Sequence, residues 1–308
     1  MAYAPKRAPT DAFASMHRKA PVLAPQERWN VWAAGFGGSQ TTDGNAAAGT
    51  SNSKSSIYGM AVGADYWFSP FTVAGIAMAG GGTNFSVNGG GTGRSDLFQV
   101  GGFVRHMVGS VYVSAAAAYG WQDITTDRTV TLAGFDQLRA NFNASSYSGR
   151  VEVGNRFAMP WIGGIGLTPY GAMQVTAFDL PSYAESVVAG SNTFALTYGG
   201  KTVTAMRSEL GLRSDKSFAV NDAILTLRGR AAWAHDFDTE RSATATFQTL
   251  PGASFVVNGA ALARNAALTT ASAELKWMNG WSVAGTFEGE FSDVTKSYAG
   301  RGVVRYAW

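Results

Sequence analysis

The sequence predicts an all-β protein, a 12-stranded antiparallel up-and-down β-barrel that crosses a membrane. Three observations predict it. From residue 28 onward, segment after segment alternates apolar and polar residues; the connections between segments are sorted, long ones alternating with short ones; and aromatic residues crowd the short-connection end. Period two is the signature of a strand with unlike faces. Sorted connections on an even number of strands are the signature of an outer-membrane barrel with its tight turns in the periplasm.

Composition sets the bounds. A chain of 308 residues makes two soluble domains or one large β domain with equal ease. Charged residues are 15% of the chain, where about 25% is usual, and glycine is abundant at 38 residues. With no cysteine, a disulfide scaffold and a thiolate metal site are excluded. A net charge of +3 gives no argument for nucleic acid. No apolar run approaches the roughly 18 residues of a spanning helix, and MAYAPKRAPTDAF lacks the apolar core of a signal peptide. The expectation is either a cytosolic protein or the downstream piece of a longer one.

Taken in order, residues 1–27 read as a linker with a short helix over about 10–19, capped by Thr10 or Asp11 and ended by Pro21 and Pro25. Residues 28–308 read as the barrel, with strands expected at 28–39, 56–68, 72–86, 95–107, 110–125 and 142–158, then at 166–179, 202–219, 223–237, 266–278, 281–292 and 298–308. Long connections are expected at QTTDGNAAAGTSNSKS, SVNGGGTGR, around TLAGFDQLRA, SVVAGSNTFALTYGGK and RSATATFQTLPGASFVVNGAALAR; short ones at SPF, VGS, MPWIGGIG, NDA and NG.

The alternation assigns charges to the barrel interior. Arg105 joins this set from the fourth strand. In the sixth, Arg150 and Glu152 oppose Val151 and Val153; in the eighth, Arg207, Glu209 and Arg213 oppose Leu210 and Leu212. Arg228 and Arg230 share a parity, as do Glu274 and Lys276 against Leu275 and Trp277. Glu288 and Glu290 share one face of WSVAGTFEGEFSDV, and Arg301 and Arg305 one face of the last segment, so cross-strand pairing of these acids with these arginines is expected. Trp29, Trp67, Trp161, Trp277, Trp281 and Trp308 are expected where the apolar band meets the headgroups, with Trp32, Tyr66, Phe68, Phe71, Phe157 and Tyr306 near them.

The capped helix leading into RWNVWAAGFGG, the segment IYGMAVGADYWF, the twelve strands and the terminal VRYAW together resemble the C-terminal translocator (β) domain of monomeric autotransporters, the type Va secretion system. The resemblance covers residues from about 10 to 308. It implies an outer-membrane barrel whose lumen carries the N-terminal helix, with Asp11, Phe13, Met16, Arg18 and Lys19 as that helix's residues. It implies that the barrel secretes and anchors an N-terminal passenger, with no cofactor or metal and no nucleic acid. The implied partners are outer-membrane lipid, periplasmic chaperones, the barrel-assembly machinery and the passenger, and the implied state is a monomer. Long loops would be extracellular and short turns periplasmic. The C-terminal signal implied for the assembly machinery is Tyr298, Gly302, Val304, Tyr306 and Trp308, with Val303 standing where such signals commonly carry glycine. Some family members cleave themselves by cyclisation of a linker asparagine; residues 1–29 contain no Asn, so cleavage by that route is not expected.

Other sites are set aside. GGGTNF and NGGGTGR lack the helix and Lys-Ser/Thr pair of a phosphate loop. His17, His106 and His235 lack ligand-like spacing. His235 and Asp236 are adjacent in a strand and so point to opposite faces, which argues against joint catalysis. The alternatives are a stand-alone channel or adhesin barrel and, in the enzyme class, a barrel protease or lipase.

Overall fold

A computed structural model describes residues 28–132, 134–160 and 163–308. The expected helix over 10–19, its residues Asp11, Phe13, Met16, Arg18 and Lys19, and Trp161 lie outside the described residues. In chain order the strands are β1 (Trp29–Thr42), β2 (Ser53–Ser69), β3 (Thr72–Val87), β4 (Gly91–Val108), β5 (Val111–Val130), β6 (Asp136–Asn155), β7 (Phe157–Met159) and β8 (Ile165–Leu180). Next come the short strands β9 (Tyr183–Ala184), β10 (Ser186–Ala189) and β11 (Leu196–Tyr198), followed by β12 (Lys201–Val220) and β13 (Ala223–Asp236). The chain ends with β14 (Ser242–Phe247), β15 (Ser254–Asn258), β16 (Asn265–Trp277), β17 (Trp281–Phe291) and β18 (Thr295–Ala307).

Twelve long strands close on themselves. β1 pairs with β2 on one side and β18 on the other, and β6 with β5 and β8, all antiparallel. The β1/β18 seam runs in unbroken register from Asn30↔Ala307 to Thr42↔Thr295. Closure leaves no edge, as the hydrocarbon layer demands of any sheet whose backbone must satisfy itself.

The tight end is built by hairpins with the turn chemistry their positions require. Gly109 in the β4/β5 turn has φ 62°, and Asn221 in the β12/β13 turn has φ 49°. Glycine occupies that left-handed region without penalty and Asn tolerates it. At the other end the expected sorting of connections is only partly realised. The segment SVNGGGTGR is not a long loop, because β3 and β4 stay paired through Val87↔Gly91; likewise β5 and β6 stay paired through Val130↔Asp136, so the second half of TLAGFDQLRA is strand. The β-branched run ITTDRTV carries that pairing past residue 125, where the expected strand stopped. The connections that remain long are 43–52, 181–200 and 237–264.

Two of these three connections are themselves folded. β9 and β11 from the first pair with β14 and β15 from the second in a separate four-stranded sheet, β15-β14-β11-β9, while β10 adds to the extended end of β6. Both segments were expected as loops.

Candidate functional site, the barrel lumen

Alternation divides each long strand into an outer and an inner face. Outer positions carry exposed apolar side chains such as Met60 at 71%, Ile76 at 68% and Leu210 at 60% exposure. Soluble monomers rarely expose such a contiguous apolar surface, which suits a lipid-facing band. Inner positions carry the charges. Arg105, Arg213, Arg228, Arg230, Glu274, Glu288, Arg301 and Arg305 all line one central cavity of about 770 Å³, and Lys276 shares the strand face of Glu274.

Around that cavity the charges form a connected network. Arg150 bonds Glu152 at 2.9 Å and Glu209 at 2.7 Å. It reaches Glu209 diagonally across β8: its own register partner there is Gln174, while Ala172 is the partner of both Glu152 and Glu209 and places only a small side chain between those two acids. Arg213 forks onto both oxygens of Glu152, donates to the Tyr112 hydroxyl at 2.6 Å, and lies over the Tyr170 ring at 4.0 Å. Tyr112 in turn donates to Glu152 at 2.8 Å, and Tyr170 to Glu209 at 3.3 Å. Glycine makes room for these rings: a Cβ at Gly154 would sit 2.6 Å from the Tyr112 ring, and one at Gly211 2.7 Å from Tyr170. Separate pairs join Arg228 to Glu274 at 2.6 Å and Arg156 to Asp215 at 2.6 Å.

The expected pairing of Glu288 and Glu290 with Arg301 and Arg305 does not form. The β17/β18 register sets Arg301 opposite Thr286 and Arg305 opposite Ser282, so the acids and arginines are offset along the wall. Glu290 instead accepts from Arg207, whose guanidinium also forks onto Asp236 at 2.8 and 2.7 Å. His235 points to the opposite face from Asp236, beside Trp233, Asn265 and Phe237.

At the tight end, Trp29 packs on Tyr66, and Trp281 on Tyr306, which stacks on Trp308. Trp29, Trp281 and Trp308 are about half exposed, on the outer face. Trp277 shares the outer parity of Leu275 on β16. Trp67 does not join them: it alternates to the face of Asp65, while its neighbours Tyr66 and Phe68 meet edge to face on the outside. Adjacent strand residues cannot share a face, so the run Tyr-Trp-Phe must be split. Trp32 likewise faces inward, where its indole and the Asn30 amide both donate to buried Asp65 at 3.1 and 2.9 Å. On β18, Tyr298, Gly302, Val304 and Tyr306 occupy the outer parity, and Val303 lines the cavity.

The far end of the lumen is capped by the small sheet. Leu138, Ala140 and Ala144, on the inner face of β6, are buried, as are Ala195, Leu196 and Ala245 from the two folded connections. Phe142 stacks on Tyr183 with ring centroids 3.9 Å apart, and Tyr183 stacks on Tyr198 at 4.7 Å. Arg128 clamps Glu185 through two bonds of 2.9 and 2.6 Å and reaches the Phe194 carbonyl at 2.7 Å. Gln248 ties the second connection to the first by donating to the carbonyls of Glu185 and Leu196. Burial pushes the Tyr183 hydroxyl up to about 12, with Tyr198 and Glu185 adding to it, and burial also raises Tyr198. Sequence reasoning missed this cap. Its signals were present in the alternation of SATATF, the β-branched SFVVN and the turn QTLPGA between them.

Solved structures with the same architecture are distant in sequence. The translocator domain of autotransporter NalP from Neisseria meningitidis superposes with a TM-score of 0.72 at 15% identity, covering 92% of this chain and 89% of that one. The β domain of the Bordetella autotransporter BrkA gives 0.70 at 17% identity, covering 91% and 100%. The transport unit of autotransporter AIDA-I from Escherichia coli gives 0.56 at 13%, covering 97% and 96%. No curated protein matches the sequence significantly. The family model described as the autotransporter beta-domain matches residues 31–288, nearly the whole wall from β1 into β17. A closed twelve-stranded barrel with a charged lumen and that match over most of its length belongs to the autotransporter beta-domain family, as an outer-membrane translocator domain.

Proposed function

We propose that this translocator carries an N-terminal passenger outward and then anchors it, with residues 1–27 as the linker whose helix plugs the lumen. The observation that carries the reading is where the wall begins. The amides of Arg28 and Trp29 both bond the Trp308 carbonyl at the tight-turn end, at 2.9 and 3.1 Å. A segment upstream of Arg28 therefore starts at that end, and its direct route to the end bearing the long connections is the lumen. In this reading the tight turns are periplasmic and the long connections extracellular, the outer aromatics sit at the headgroups, and the barrel works as a monomer. Tyr298, Gly302, Val304, Tyr306 and Trp308 present the outer face of β18 to the barrel-assembly machinery. The lumen charges solvate the path and grip the linker, without a cofactor or a catalytic step.

Single-channel conductance of the full chain and of a chain lacking residues 1–25 tests the plug. A marked rise on deletion supports it, whereas a full chain that already conducts freely favours the stand-alone channel. For the enzyme reading, a peptide and ester substrate panel suffices: Asp236 is held by Arg207 on the face opposite His235, so no turnover sensitive to His235→Ala is expected.

A further inference from the structure

The lining of the central cavity is short of acid, with seven arginines against three carboxylates. Arg156 and Arg228 consume Asp215 and Glu274, and Arg213 draws on Glu152. Four arginines remain for Glu288. Of these, Arg105 is stacked over the Tyr112 ring at 4.1 Å, and Arg230 approaches Glu209 only to 3.9 Å, on an oxygen that Arg150 already holds at 2.7 Å. The side chains of Arg301 and Arg305 make no ion pair or hydrogen bond among the described residues. Three buried polar atoms on the same wall also lack partners there: Arg230 Nε, Arg305 Nε and Thr270 Oγ1. Buried donors left unmade are rare and call for an acceptor. Water filling a space of this size can satisfy the N–H groups, but it leaves the gathered positive charge uncompensated.

The arrangement also selects the shape of what would compensate it. Arg301 and Arg305 share the inner face of β18 four residues apart, which at a strand rise of about 3.3 Å per residue separates their Cα atoms by roughly 13 Å along the pore. Arg230 stands at another level, in register with Thr270, which is itself in register with Glu288. The free guanidinium groups thus form a strip along the lumen axis, wider than one compact anion spans.

We propose that this strip binds an extended polyanion, the carboxylates of an acidic polypeptide segment lying along the pore, with Arg301 and Arg305 as its main contacts. Arginine suits the task because its fork meets a carboxylate bidentately. The inference goes beyond translocation itself, because it assigns the lumen a preference for acidic over neutral stretches of chain.

The test uses the full chain and, in parallel, the chain lacking residues 1–25, in neutral-detergent micelles at low ionic strength, with fluorescence anisotropy of a labelled hexaglutamate peptide. Saturable binding is expected, with hexaglutamine binding at least about tenfold more weakly; the Arg301→Gln/Arg305→Gln double variant should weaken hexaglutamate about tenfold or more. Lys296→Gln, on the outer face of β18, should change nothing. If the double variant fails to fold, the salt dependence of wild-type binding decides instead, since a charge-driven complex must weaken as potassium chloride is raised. Absence of saturable binding in both chains, equal binding of hexaglutamine, insensitivity to salt, or an unchanged double variant would each overturn the proposal. Displacement by inorganic phosphate at concentrations matching the peptide would overturn the extended strip and leave a compact anion site. Binding that arises only in the chain lacking residues 1–25 means that the linker covers the strip in the full chain; absence of binding in both chains overturns the strip and leaves the plug to conductance.

Discussion

At the scale of single residues, the lumen shows what a two-residue period can and cannot carry. Parity assigns a charge to a face from the sequence alone: Arg150, Glu152, Glu209 and Arg213 do share one network, and Arg207 joins a second with Asp236 and Glu290. Which acid meets which arginine depends on the stagger of strands far apart in sequence and on the size of whatever lies between them. The Arg207 to Glu290 bond spans 83 positions, and Arg150 reaches Glu209 diagonally across β8, two register positions from its own partner Gln174. No local pattern encodes either. Glu152 is the node of this network, touched by Arg150, Arg213 and Tyr112. Replacing it as Glu152→Gln removes the charge that both arginines share while keeping the shape. Because the arginines are only partly buried, a loss of roughly 1–3 kcal/mol is expected rather than the larger cost of a fully buried broken pair. Heat-dependent migration of the folded barrel on gels measures it, and a Glu152→Gln/Arg213→Gln double variant should lose less than the sum of the singles. Additive losses would mean that the bonds do not act as a unit.

At the scale of elements, barrel strands were legible because each repeats its alternation over many residues, whereas the cap strands were not because they are short and lie within polar, Gly-rich connections. The longest of them, β14 and β15, have six and five residues. Their order comes from tertiary contacts, above all the buried Glu185 carboxylate held by Arg128. Arg128→Gln leaves that carboxylate unpaired, and the cap should then open locally while the barrel stays closed. Faster protease cleavage within 181–200 and 237–264, with little change in barrel melting, is the expected pair of results; a matching loss of barrel stability would mean that the cap is part of the barrel's cooperative unit. The pH response of the cap has a definite sign. Tyr183 ionises at about 12 in the folded protein, against an ordinary tyrosine near 10. A proton held more tightly in the folded state stabilises it fully below the unfolded value, and that contribution is lost as pH rises from about 10 through about 12. Tyrosinate absorbance should therefore show a late-titrating component that Tyr183→Phe diminishes, together with cap protease sensitivity appearing over the same window.

At the scale of the whole molecule, closure is the property on which the others depend. The composition and sorted connections predicted a barrel, but three of the connections at the open end are shorter than expected because paired strands extend into them. The barrel prediction survived because alternation and aromatic placement pointed the same way. Beyond the β1/β18 ladder, further backbone bonds finish the seam at the tight end: the Trp308 carbonyl accepts from Arg28 and Trp29, the Trp308 amide donates to the Trp29 carbonyl, and the Ala307 amide donates to the Gly280 carbonyl. Removing Tyr306, Ala307 and Trp308 would strip these partners and two of the stacked outer rings together. Amide and carbonyl groups at the start of β1 would then lack partners at the rim of the apolar band, where an unpaired backbone group is costly. The truncated chain is thus expected to lose the compact, heat-modifiable form in outer-membrane fractions, even though its lumen network from Tyr112 to Arg230 is untouched. Substituting only the rings, as Tyr306→Leu and Trp308→Leu, keeps every one of those backbone bonds. If the backbone carries closure, this second variant should still form the compact species, with a modest loss of stability from the weaker interfacial anchoring. Equal failure of both variants would instead make the aromatic face of β18, and not the β1/β18 ladder, the feature on which the folded barrel depends.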